Sequence, residues 1–122
     1  MSLQFNMQVT DTVRNSTLQP AQIVITDGDG LDSRHKGIGL VEEGVTIDAD
    51  VAASGNGPSF LFIWNHDATN FVEFGTSTGV YWGRVDPGEY GWIPLNGTVT
   101  TLYFKADTAE CQIEYRVHER GS

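Results

Sequence analysis

The sequence predicts an all-β protein: a single antiparallel β-sandwich, jelly-roll-like, with about eight or nine short strands in one domain over residues 1–122. Three observations carry this. Apolar side chains recur with a period of 2 in segment after segment, as strands with one wet face require. Gly, Asp, Asn and Pro clusters punctuate the gaps, supplying the turn chemistry that short strands need. No stretch combines a 3.6-residue period with helix caps.

Taken in order, "LQFNMQV" sets Leu3, Phe5, Met7 and Val9 on one face and Gln4, Asn6 and Gln8 on the other. "AQIVIT" (21–26) is a more apolar strand, followed by "DGDG" (27–30), which reads as a turn. Residues 27–44 and the last three residues are expected to be the loosest parts, with one helical turn at most in "LDSRHKG". "VTIDADV" places Val45, Ile47, Ala49 and Val51 inward. "SGNGPS" (54–59) breaks the chain before "FLFIW" (60–64), whose lack of a polar side predicts a central strand covered on both faces.

The polar stretch after it, in "WNHDATNFVEFG" (64–75), reads as a hairpin. Asn65, Asp67 and Asn70 suit turn positions because their side chains bond nearby backbone. "NFVEFG", "VYWGRV" and "EYGWIPL" supply three further strands. Pro87-Gly88 fits the centre of a type II turn, and Asn96-Gly97 a two-residue I′ hairpin. "TLYFKA" (101–106) and the alternating "CQIEYRVHE" (111–119) close the series. In the latter Cys111, Ile113, Tyr115 and Val117 point inward, and Gln112, Glu114, Arg116 and His118 outward.

Composition excludes several functions. The 122 residues carry 16 acids against 7 bases, a formal charge of −9. That charge opposes both a nucleic-acid backbone and an anionic membrane surface. The single cysteine, Cys111, permits no internal disulfide and no thiolate zinc cluster. The start has neither the basic nor the apolar region of a signal peptide, so synthesis and folding in a cytoplasm are expected. No apolar run approaches the roughly 20 residues of a membrane-spanning helix.

Chemistry is sparse. Asp27, Asp29 and Asp32 cluster as a calcium loop might, but the fifth and twelfth loop positions would fall on Leu31 and Ile38, so the EF-hand pattern fails. His35, His66 and His118 lie far apart in sequence with no metal-binding spacing; only the fold could bring them together. There is no nucleophile elbow, and Cys111 lies on the apolar side of its strand. Glu42 and Glu43 should point to opposite faces and share no proton. No catalytic residue, cofactor site or metal site is therefore assigned. Glycosidase chemistry would need two acids facing across a groove. The aromatics Trp64, Tyr81, Trp82, Tyr90 and Trp92 are core by default, yet some of them could line a sugar-binding surface or a protein interface. Tyr81 and Trp82 should point opposite ways, whereas Tyr90 and Trp92 share a face.

The second half resembles small structural proteins of tailed bacteriophages. The likeness rests on an ordered set: "NHDATNFVEFG" (65–75), "DPGEYGWIPL" (86–95), "LYFKADTA" (102–109) and "IEYRVHE" (113–119). It implies a non-enzymatic virion protein: a capsid decoration (cement) protein stabilising the head lattice, or a connector or tail accessory protein. Its implied partners are the major capsid protein or another virion protein, and copies of itself, trimers being frequent. The possible interface comprises Leu3, Phe5 and Met7, which could add a strand to a neighbour or pair within the protein's own sheet, together with Tyr81, Trp82, Tyr90 and Trp92. A carbohydrate-binding β-sandwich with a glycan ligand is the alternative.

Overall fold

The computed structural model describes residues 2–5, 9–11, 16–18, 23–52 and 56–121; before Gly30 it describes strand pairing alone. Every ladder is antiparallel, and no helix occurs among the described residues. Among the described residues there are eleven strands: β1 (Ser2–Phe5), β2 (Val9–Asp11), β3 (Ser16–Leu18), β4 (Ile23–Ile38), β5 (Glu43–Thr46), β6 (Pro58–Asn65), β7 (Val72–Gly75), β8 (Gly83–Val85), β9 (Tyr90–Pro94), β10 (Thr101–Ala106) and β11 (Cys111–Arg120). The excess over the eight or nine expected lies at the N-terminus, where three short strands replace one.

The strands order as β1-β4-β11-β6-β9 in one sheet and β5-β10-β7-β8 in another, with β2-β3 as a separate ribbon. One core draws on both larger sheets. Leu61, Ile63, Ile113 and Tyr115 come from the first, and Phe74 and Phe104 from the second. The Phe104 and Tyr115 rings meet with centroids 5.3 Å apart. β11, with alternate residues Cys111 to Val117 fully buried, is the central element of that core, as its sequence pattern required.

Several local expectations are corrected. The segment 27–38 is strand throughout, because β11 pairs along β4 from Cys111↔Ile38 to Arg120↔Asp27, through an irregularity after His118. Its inner-facing Asp32, Arg34 and Lys36 lie opposite the buried Val117, Tyr115 and Ile113. Polar residues are tolerable there because they pair. Arg34 Nε donates to Asp32 at 2.8 Å, and Lys36 Nζ lies 3.1 Å from Glu43. With polar residues on both faces, apolar alternation could not reveal the strand. At 45–51 the strand stops at Thr46. Val51 and Ala52 donate back to the Asp48 carbonyl, and the resulting turn leaves Ala49 exposed.

The 64–75 segment is not a hairpin. β6 pairs with β9 and β11, while β7 belongs to the other sheet, so the polar stretch is a corner between sheets. Asn65, Asp67 and Asn70 nevertheless act as expected. Asn65 Oδ1 accepts the Asp67 N–H at 2.9 Å, and Asp67 Oδ2 accepts those of Thr69 and Asn70 at 3.0 and 2.7 Å. Asn96-Gly97 likewise lies at a corner, between β9 and β10. Asn96 Oδ1 accepts the Thr98 N–H at 3.0 Å, and Gly97 is not among the positive-φ glycines a I′ turn needs. The Pro87-Gly88 expectation holds: Gly88 has φ 76°, and the Glu89 N–H donates to the Asp86 carbonyl at 2.9 Å.

Candidate functional site

The site is built by register on the outer face of the five-stranded sheet. β6 sends Leu61 and Ile63 into the core, so by alternation Phe60, Phe62 and Trp64 lie on the face turned away from it, and that face carries large rings. The register sets Phe60, Phe62 and Trp64 of β6 opposite Pro94, Trp92 and Tyr90 of β9. Directly opposed residues share a face, so five rings and a proline form two facing rows. Trp64 meets Tyr90 edge-on at 6.0 Å, Phe62 lies 6.2 Å from Tyr90, and Phe60 meets Trp92 at 5.9 Å. Phe60 is enclosed by Trp92 and by His118, which stacks on it at 5.0 Å, so His118 points outward as expected yet is buried. Towards the other end the face opens: Trp64 is 39% exposed and Tyr90 69%. The expectation that "FLFIW" is covered on both faces fails at Trp64 for this reason.

Beside Trp64 the same face gathers His35, His66 and Glu114. His35 and Glu114 are register partners on β4 and β11. His66 follows β6, and its N–H donates to the Gln112 carbonyl at 2.9 Å, which docks the corner against β11. Asp67 braces the corner by accepting the two backbone N–H groups of Thr69 and Asn70, and those hydrogen bonds hold its carboxyl below the usual range. His66 Nε2 is 3.3 Å from Glu114 Oε2, and His35 Nε2 is 3.7 Å from Glu114 Oε1. The two imidazoles stack at 6.1 Å with a 15° tilt, and Trp64 covers His66 at 4.3 Å. One nitrogen from each histidine and one glutamate oxygen lie within 4.8 Å of one another, an arrangement that can hold a metal ion. The sequence has no motif for this trio; its members lie 31 and 48 residues apart, and only strand register unites them.

The other candidate residues fall elsewhere. Tyr90 and Trp92 share the aromatic face as expected, but Tyr81 and Trp82 lie in the connection between β7 and β8. There Trp82, 43% exposed, packs edge-on against Phe74 at 5.1 Å. Tyr81 donates its hydroxyl to Glu42, and burial followed by that acidic neighbour pushes its pKa up to about 12. Glu42 also accepts the Gly79 N–H at 2.7 Å while Glu43 pairs with Lys36, so the adjacent acids serve separate partners. Leu3 and Phe5 lie on β1, paired with Ile25 and Ile23 of β4, so this segment adds to its own sheet; Met7 lies outside the described residues. Cys111 is buried, and burial, with Asp67 and Asp107 adding to it, raises its thiol pKa to about 11. Asp32 is committed to Arg34 rather than to a calcium loop; the side chains of Asp27 and Asp29 lie outside the described residues. No family model, curated protein or solved structure matches the chain.

Proposed function

We propose that this is a non-enzymatic structural protein of a phage virion: a jelly-roll-like β-sandwich that decorates the head lattice by surface complementarity. The aromatic outer face of its five-stranded sheet is the contact surface. The observation that carries this is the exposed cross-strand pair Trp64 and Tyr90, with Phe62 and Trp92 alongside. Large rings left open to water on a face of rigid strands contribute most where a partner covers them. The ordered likeness of residues 60–119 to phage structural proteins supports the virion setting, with the major capsid protein as partner and trimers as the working assembly. The acidic surface supports a protein partner rather than a nucleic acid or a membrane.

The test is capsid stability. Capsids carrying the protein should resist heat and dilution better than capsids lacking it. Substituting Trp64 and Tyr90 together by Ala should abolish that protection and the binding, while the variant remains folded by circular dichroism. If a folded W64A/Y90A variant binds and protects capsids as the parent does, the aromatic face is not the contact surface. If the parent itself neither binds nor protects, the decoration reading fails.

A second reading has its own support in the facing rows of Trp64, Tyr90 and Trp92, since aromatic platforms also stack on the apolar faces of sugar rings. In that case the parent binds immobilised glycans and loses them on the same substitutions.

A further inference from the structure

We propose that His35, His66 and Glu114 form a divalent transition-metal site of the zinc type, with an open coordination position facing solvent beside Trp64. This inference is independent of the decoration reading and concerns chemistry that reading does not use.

The donor set suits the ion. Two neutral imidazole nitrogens and one carboxylate oxygen are a combination that zinc and related borderline ions accept, whereas calcium and magnesium favour all-oxygen sets. The spacing suits it as well. Zinc–nitrogen and zinc–oxygen bonds of about 2.0–2.1 Å at tetrahedral angles place neighbouring donor atoms roughly 3.3–3.5 Å apart. Here His66 Nε2 lies 3.3 Å from Glu114 Oε2 and His35 Nε2 lies 3.7 Å from Glu114 Oε1. The two contacts run to different oxygens of the carboxylate, and one donor atom from each of the three residues lies within 4.8 Å of the others. A cation between the three would satisfy all of them with small rotamer shifts.

The scaffold is rigid enough to present such a site. Glu114 and His35 sit on paired central strands, and His66 is fixed by its backbone bond to Gln112 and by the Asp67 turn behind it. Trp64 shields one side of His66, which lowers the local dielectric and strengthens a charged contact. The other side is wet: the His35 side chain is 75% exposed and that of His66 35%. Three protein ligands with one solvent-facing position are the arrangement of accessible rather than sealed zinc sites. Arg116, opposite Ser33, is the next residue of β11 after Glu114 on this face.

Isothermal titration of untagged protein with zinc chloride should give one site per chain, unchanged by millimolar magnesium or calcium. Glu114→Gln, which keeps size and shape, should weaken zinc binding at least tenfold, and His35→Ala and His66→Ala similarly. Amide NMR shifts on zinc addition should concentrate around residues 35, 66 and 114. The proposal is overturned if zinc binds no more tightly than magnesium. It is also overturned if folded E114Q and H35A retain the parent affinity, which would place the bound ion elsewhere on the acidic surface. Because His66 helps anchor a corner, E114Q and H35A decide the matter should H66A unfold.

Discussion

The side-chain amide of Asn65, at the end of β6, donates to the backbone carbonyl of Val85 in β8 at 3.1 Å and to that of Asn70 at 2.8 Å. β6 and β8 belong to different sheets, so one fully buried amide ties the two layers together where the chain crosses between them. Its Oδ1 meanwhile accepts the Asp67 N–H that shapes the corner. Replacing Asn65 by Leu removes donors from two buried carbonyls and an acceptor from one N–H. The expected loss is about 2–3 kcal/mol, set by desolvated groups left unpaired. Urea denaturation of N65L against the parent measures it. A loss below about 0.5 kcal/mol would mean the corner is not held by this residue.

Tyr115 offers the opposite case. Its ring is fully buried against Phe104, yet its hydroxyl finds no hydrogen-bond partner among the described residues. Among the described residues nothing replaces the water this hydroxyl gives up, and burial, reinforced by the nearby Asp32 charge, pushes its pKa well above the ordinary tyrosine value. Tyr115→Phe keeps the ring packing and removes the unsatisfied group. It should leave stability unchanged or raise it by up to about 1 kcal/mol. A clear loss in the thermal midpoint of Y115F would show that the hydroxyl is bonded in solution.

Alkaline pH should weaken the fold. The Cys111 thiol rises from an ordinary 9.0 to about 11, and the Tyr81 hydroxyl from 10.0 to about 12. For both, the native state holds its proton after the unfolded chain has released it. Their contribution to stability is therefore complete below about pH 9 and declines as pH rises through the native values. For the fully buried Cys111 the slope is up to about 1.4 kcal/mol per pH unit in its window, and Tyr81, partly open to solvent, adds less. Urea midpoints should fall steadily from pH 9 to pH 11, and Cys111→Ala should flatten the lower part of that fall. At pH 8 iodoacetamide should leave Cys111 unlabelled in the native protein and modify it fully in urea. Rapid native labelling would contradict its burial.

How much was legible depended on whether the information was local. The alternation from Cys111 to Val117 fixed which side chains of β11 enter the core, because the strand's two-residue period needs no partner to be expressed. The turn roles of Asn65, Asp67, Asn70 and Gly88 were equally local, depending on short side chains reaching their own backbone or on a positive φ. Strand β4 was hidden because its inner-facing Asp32 and Arg34 neutralise each other, and a paired charge looks like a solvated loop in one dimension.

From sequence alone came the all-β class, the alternation of β11, the turn roles of Asn65, Asp67, Asn70 and Gly88, and the absence of any local catalytic motif. Tertiary structure decided the rest. It made the 64–75 segment a corner between sheets, because pairing β6 with β9 and β11 is a long-range choice that turn chemistry does not specify. It also set Trp64 against Tyr90 and brought His35, His66 and Glu114 within reach of one ion. Those meetings depend on register across three or four strands, and a slip of one residue would turn each side chain to the opposite face.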